Sequence, residues 1–140
     1  MSHAVALLPD PSPVIATLQA ILETGSRWAE VGTNPRTGVS CWGLVHFAYA
    51  QGGLELPASA CEASEAFVLA QPPYQPWDVV MANFSGLLHG PRHLGILLGA
   101  SWGFHCSPAT NGLARFHLGD PLWKRGLRHV WRLKEVCSCI

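Results

Sequence analysis

The sequence has few charged residues and no concentration of them. Nine Lys and Arg balance nine Asp and Glu over 140 residues. No Lys/Arg cluster interleaves with aromatics, so the electrostatic footprint of a nucleic-acid binder is missing. No apolar stretch is long enough to span a bilayer. No Lys or Arg precedes the brief apolar patch Ala4-Val5-Ala6-Leu7-Leu8, and Asp10 interrupts it too early for the core of a signal peptide. Internal repeats and low-complexity runs are also missing. The five cysteines are odd in number and lack the spacing of a small disulfide framework. At least one thiol therefore has no partner within the chain, and reduced cysteines in a cytosolic setting are the simpler expectation. Together these absences lead us to expect the protein in the cytoplasm of the producing cell, or in a particle assembled there.

About half of the residues are apolar, and 15.1 kDa gives room for one domain with one core. We divide the chain into an N-terminal segment 1–12, a single domain 13–134 and a loosely ordered tail 135–140. Ser12 followed by Pro13 reads as a helix start, with Ser12 as the capping oxygen; Val14, Ile15, Leu18, Ile21 and Leu22 then recur on one face until Gly25. A second helix begins near Cys41 and ends at Gly52-Gly53, with Cys41, Leu44, Val45 and Ala48 on one side. Ser59 with Glu62 forms a capping-box signal for a short helix through Leu69, stopped by Pro72 and Pro73.

From Trp77 onward the period becomes that of strands. Five are expected, at 78–84, 92–98, 102–106, 113–117 and 127–133, separated by Gly, Pro and Asn. Helices first and an antiparallel meander second describe an α+β domain.

Cys41 stands where the turn-forming stretch Gly32-Thr33-Asn34-Pro35-Arg36-Thr37-Gly38 gives way to a helix. Unpaired N–H groups in a helix's first turn favour a thiolate over a thiol. Strand alternation puts His93, Gly95 and Leu97 on one face and Leu94, Ile96 and Leu98 on the other. An odd-numbered loop after this strand sets His93 and His105 opposite each other on one face; a two-residue loop sets them on opposite faces. In the first case Cys41, His93 and His105 supply a nucleophile, a base and an orienting partner.

Other candidates read as structural. His89 and His93 are separated by Gly90-Pro91, which prevents a shared helical face for a metal, and Cys137-Ser138-Cys139 is too isolated for a zinc site. Asp78 heads a strand and suits a turn-capping carboxylate. His46 and Tyr49 fall away from the Cys41 stripe and are expected on a solvated face. His117 is expected at the surface, and Trp42 either lines a cleft or packs in the core.

Several segments in order carry a resemblance: Gly38-Val39-Ser40-Cys41-Trp42-Gly43-Leu44-Val45, then Tyr49, Gly53 and Leu56-Pro57, then Trp77-Asp78-Val79-Val80, His93-Leu94-Gly95-Ile96-Leu97-Leu98-Gly99 and His105. Over about residues 27–133 the chain resembles the NlpC/P60 cysteine peptidases. It looks most like their short phage-tail and prophage-tail members, which share Cys-Trp-Gly-Leu-Val and a trailing segment like Asp120-Pro121-Leu122-Trp123-Lys124-Arg125-Gly126-Leu127. The resemblance implies a papain-like fold with Cys41 as nucleophile, His93 as base and His105 as the third triad member. Ser40 and Trp42 beside the nucleophile then face the substrate.

It implies hydrolysis of an amide in peptidoglycan stem peptides, commonly between D-γ-glutamate and the diamino acid, with no metal and no cofactor. Backbone N–H groups, that of Cys41 included, would meet the oxyanion. Phage tail proteins are the implied partners. Two positions depart from the family: Ser40 stands where Asp usually precedes the nucleophile, and 28–35 hold no counterpart of an upstream Tyr that receives the substrate's amino end. These departures admit a second reading, a tail assembly or cell-wall peptide-binding protein that keeps the fold without turnover.

Overall fold

A computed structural model describes residues 4–5, 8–57, 59–85, 90–134 and 137–138. In chain order the elements are β1 (Ala4–Val5), α1 (Ser12–Thr24), β2 (Thr33–Asn34), β3 (Gly38–Val39), α2 (Cys41–Gln51), α3 (Ala60–Ala63), a 3-10 turn (Ser64–Ala66), β4 (Phe67–Leu69), β5 (Val79–Phe84), β6 (Gly90–Leu97), β7 (Trp102–Ser107), β8 (Gly112–His117), α4 (Pro121–Gly126), β9 (Leu127–Leu133) and β10 (Cys137–Ser138). The fold is the expected α+β arrangement: helices and a six-stranded antiparallel sheet in the order β4-β9-β5-β6-β7-β8.

Period-two alternation along the strands sorts side chains onto the two faces of this sheet. On one face Val79, Ile96, Leu98, Phe104, Cys106 and Leu113 pack with Val14, Leu18 and Ile21 of α1 and Leu44, Val45, Ala48 and Tyr49 of α2. On the other, Val80, Ala82, Leu97, Phe116 and Val130 pack with Phe84 and with Trp123 of α4. β5, β6, β8 and β9 each contribute to both apolar layers.

The structure corrects several expectations. Pro11, not Ser12, is the N-cap position of α1, and no side chain of that residue caps the helix. The Asp10 carboxylate does the work instead, accepting from Ser12 N at 3.0 Å and Ser12 Oγ at 2.9 Å. Gly25 closes α1 at φ 121, where a side chain would be strained.

The helix expected through Leu69 ends after one turn of α3 and the 3-10 turn. Phe67, Val68 and Leu69 become the sixth strand, facing Leu133, Arg132 and Trp131 of β9. These aromatic and branched residues suit a pleated surface, and the outer edge of β9 offers unpaired groups that a helix would leave exposed. Residues 33–39 form a small hairpin, Thr33 opposite Val39 and Asn34 opposite Gly38. Cys137–Ser138, expected in a loose tail, pairs with Ala4–Val5. The remainder of 135–140 lies outside the described residues.

Candidate active site

The segment leading into α2 is tied down at each residue. Val39 N donates to Arg27 O at 3.0 Å, and Val39 O accepts from Ala29 N at 3.0 Å. Ser40 N donates to Gly32 O at 3.1 Å. The side chain of Ser40 then caps the helix: its Oγ accepts from Gly43 N at 2.9 Å and donates to Gly32 O at 3.3 Å. Gly43 is required by the same packing, since a Cβ there would lie 1.6 Å from Gly32 O. Cys41 follows as the first residue of α2, half-buried, with a free thiol.

His93 and His105 come together on the Trp123 face. Leu98 still bonds across to Trp102, leaving Gly99, Ala100 and Ser101 as a three-residue loop, the odd number that same-face placement requires. Their alignment differs from the expected direct opposition. Gly95 is the residue opposite His105, so His93 is its diagonal neighbour, one pair farther along. A diagonal separation is within reach of long rings, and His93 Nε2 lies 2.8 Å from His105 Nδ1.

The rings cross at 82° with centroids 5.0 Å apart, and both residues are almost fully buried, at 2% and 4% exposure. The room beside Gly95 is filled by Phe116 and Trp123, whose rings approach within 2.8 and 3.3 Å of where its Cβ would be.

Aromatic rings wall this imidazole pair. Trp123 stands 5.7 Å from His93 and 5.2 Å from His105, Phe84 is 5.9 Å from His93, and Phe116 is 5.5 Å from His105, centroid to centroid. Sequence reasoning missed this wall. Its signals were Trp123, inside the quoted segment 120–127, and Phe116, which pairs with Gly103 and so shares the face of His105. The body of α2 is seated on the other face of the sheet through Leu44, Val45 and Ala48. The imidazole pair thus lies on the opposite face of the sheet from the body of α2, whose first residue is Cys41.

Beside the nucleophile position, Trp42 is half-buried and packs against the α2 side of the core. The thiol of Cys106, one residue past His105, is fully buried and donates to Val39 O at 3.4 Å. Burial first, and the charge of Cys41 second, push the Cys106 thiol from 9.0 up to about 12.

Tyr49 overturns its expected exposure. It is wholly buried, its hydroxyl donates to Trp77 O, and its ring meets Trp77 and Phe67. Standing four residues after Val45, it continues the buried stripe by one turn. Burial, with the nearby Asp78 carboxylate, raises its pKa. His46 is half-buried rather than solvated.

Asp78 does cap its turn, accepting from Gln75 N at 2.9 Å, and it also holds Arg132 through both oxygens at 2.9 and 2.8 Å. His117 is exposed as expected, with Nε2 3.1 Å from Ser101 Oγ and Nδ1 accepting from Gly119 N. That acceptance leaves the ring proton on Nε2, so His117 is no base for Ser101. His89 lies outside the described residues. Among those described, no group of three or more His, Cys, Asp or Glu is gathered to hold a metal, and no helix is long and apolar enough to cross a membrane.

The sequence profile of the NlpC/P60 family matches residues 25–132. Among characterised proteins, the chain is similar to the bifunctional muramidase/DL-endopeptidase CwlT of Bacillus subtilis (strain 168). The two are 29% identical over 119 residues, which make up 83% of this chain and 35% of CwlT. Among solved structures, the fold is similar to that of an NlpC/P60 family protein from Bacillus cereus, with TM-score 0.69 at 20% identity over 91% of this chain and 41% of that one. It is also similar to the peptidoglycan hydrolase RipB from Mycobacterium tuberculosis, with TM-score 0.59 at 15% identity over 89% of this chain and 67% of RipB. The chain spans about a third of CwlT and under half of the Bacillus cereus protein.

Proposed function

This chain belongs to the NlpC/P60 family, and we propose that it is a cysteine peptidase hydrolysing amides of peptidoglycan stem peptides, of the kind that joins D-γ-glutamate to a diamino acid. The observation that carries the reading is the 2.8 Å contact between His93 Nε2 and His105 Nδ1. With His105 Nδ1 accepting, His93 holds its proton on Nε2 and presents Nδ1 as the base toward a thiol.

Cys41 then attacks the carbonyl, and N–H groups at the start of α2 receive the oxyanion. His93 protonates the departing amine, and water releases the thioacyl-enzyme. The names of CwlT and RipB support the substrate class. The tail-associated setting, with phage tail proteins as partners, rests on the sequence segments 41–45 and 120–127, and the cytoplasm or the virion as location rests on the odd cysteine count and the composition of the first residues.

A second reading, a tail assembly or cell-wall peptide-binding protein without turnover, is favoured by Ser40. Its oxygen is occupied by the cap of α2 and by Gly32 O, and it contributes no charge beside the nucleophile. Incubation of the purified protein with defined stem peptides, followed by mass spectrometry, separates the two. The peptidase yields a free diamino acid terminus that Cys41→Ala abolishes. Intact peptide, together with Cys41 alkylating no faster than the exposed Cys61, rejects the peptidase.

A further inference from the structure

β4 pairs with β9 on one side and, among the described residues, has no strand on the other. Val68 and Leu69 in it are 45% and 56% exposed, and besides them only Val31 leaves a large apolar side chain so open among the described residues. Natural edge strands are usually blunted by a charge or a proline within them. Phe67-Val68-Leu69 carries neither.

The ladder to β9 fixes which backbone groups face outward. Ala70 N donates to Val130 O at 2.8 Å, and Lys134 N donates to Ala66 O at 2.8 Å. Even-numbered residues of this strand therefore turn their N–H and C=O toward β9, and Phe67 and Leu69 turn theirs away. Phe67 N is engaged by Ser64 O. Both backbone groups of Leu69 are left open to a partner strand among the described residues.

The side chains and charges along this edge are self-complementary. Val68 projects from the sheet face that also carries Ala70, Tyr74 and Leu127. With Leu69 and Arg128 among others, these three line a groove of about 270 Å³ just past the end of the strand. Glu62 and Glu65 stand before β4, with Lys134 the one cation beside them, across from Ala66. At the other end the charge is positive: Arg128 walls the groove and its Nη1 donates to Arg125 O at 2.8 Å. No carboxylate of a described residue pairs with either arginine.

We propose that β4 is a dimer edge, at which two copies of this chain pair their β4 strands antiparallel about a two-fold axis at Leu69. Each Leu69 exchanges both backbone hydrogen bonds with the other Leu69, and the two six-stranded sheets become one. In this register Val68 of one copy stands opposite Ala70 of the other, at the mouth of its groove. The antiparallel sense brings the acidic end of each strand to the level of the basic end of its partner. Such an interface is isologous and closes at two copies, and Pro72 and Pro73 keep the pairing short. A strand pair of this length is at the small end of specific interfaces, which corresponds to a Kd of about 10–100 μM.

Sedimentation velocity on the full chain between about 5 and 500 μM reads this as an average mass that rises from one copy toward two. Val68→Lys aims an ammonium at the partner's groove, leaves the β9 ladder intact and weakens association by about tenfold or more. Thermal melts confirm that the variant is folded. Hydrogen exchange on the unsubstituted protein gives an independent reading: the outward amide of Leu69 becomes protected as concentration rises, and in Val68→Lys it exchanges freely throughout. A single copy across the whole range, or growth beyond two, overturns the proposal. So does a dimer that leaves the Leu69 amide unprotected or that Val68→Lys does not weaken, since either places the contact on another face.

Discussion

Gly95, not His93, stands directly across from His105, and the two imidazoles meet on the diagonal that this leaves open. Trp123 and Phe116 lean over the glycine and close the pair from above. On the proposed peptidase reading, His105 is a positioning residue: its Nδ1, 2.8 Å from His93 Nε2, orients the ring that acts as base and leaves substrate contact to others.

His105→Ala should therefore lower kcat about a hundredfold with KM little changed, because an untethered His93 ring samples both orientations and both tautomers. His105→Asn, which returns an acceptor oxygen toward His93 Nε2, should recover part of that loss. Steady-state kinetics on a stem peptide check this. A rise in KM with kcat intact would show that His105 binds substrate and does not orient the base.

Ser40 should behave as a structural cap. Its Oγ serves Gly43 N and Gly32 O together, so Ser40→Ala should cost about 1 kcal/mol of folding stability. Denaturant titration reads this as a lower midpoint at unchanged slope. An unaltered midpoint would mean that α2 finds its first-turn partner elsewhere.

The alkaline limb of stability should depend on Cys106. In the unfolded chain its thiol ionises near 9.0, whereas the folded protein holds the proton until about 12. Above pH 9 the unfolded state has released a proton that the native state keeps. The contribution is thus complete below pH 9 and is lost as pH rises toward 12. Cys106→Val, similar in size and without a titrating group, should flatten stability between pH 9 and 12. Some slope should remain above pH 10 from Tyr49, whose pKa is raised in the same direction. Urea midpoints measured across that range decide the matter, and parallel curves for the two proteins would refute the assignment.

The sequence made most of the sheet legible because its strands depend on short-range patterns. Leu127–Leu133 was bounded correctly, whereas parity alone left His93 and His105 on one face or on two until the three-residue loop Gly99-Ala100-Ser101 set them together. What failed depended on partners distant in the chain. Phe67–Leu69 follows a helix signal and becomes a strand only because β9, over 60 positions later, has an open edge. Tyr49 looks amphipathic in isolation, and Trp77 supplies the carbonyl that lets its hydroxyl be buried. Trp123 lies 18 residues beyond His105, and although it stands in the segment 120–127, its contact with the imidazoles depends on how α4 folds back over the sheet.

β6 and β7, which carry the two histidines, are interior strands flanked by β5 and β8. Neither can slide by a fraction of a residue, since slippage between paired strands is quantised and the smallest step would turn each imidazole through to the layer occupied by Ile96 and Phe104. The pair is therefore digital: both outer neighbours must let go before it can be misaligned, and the imidazole contact and the fold are lost in the same event.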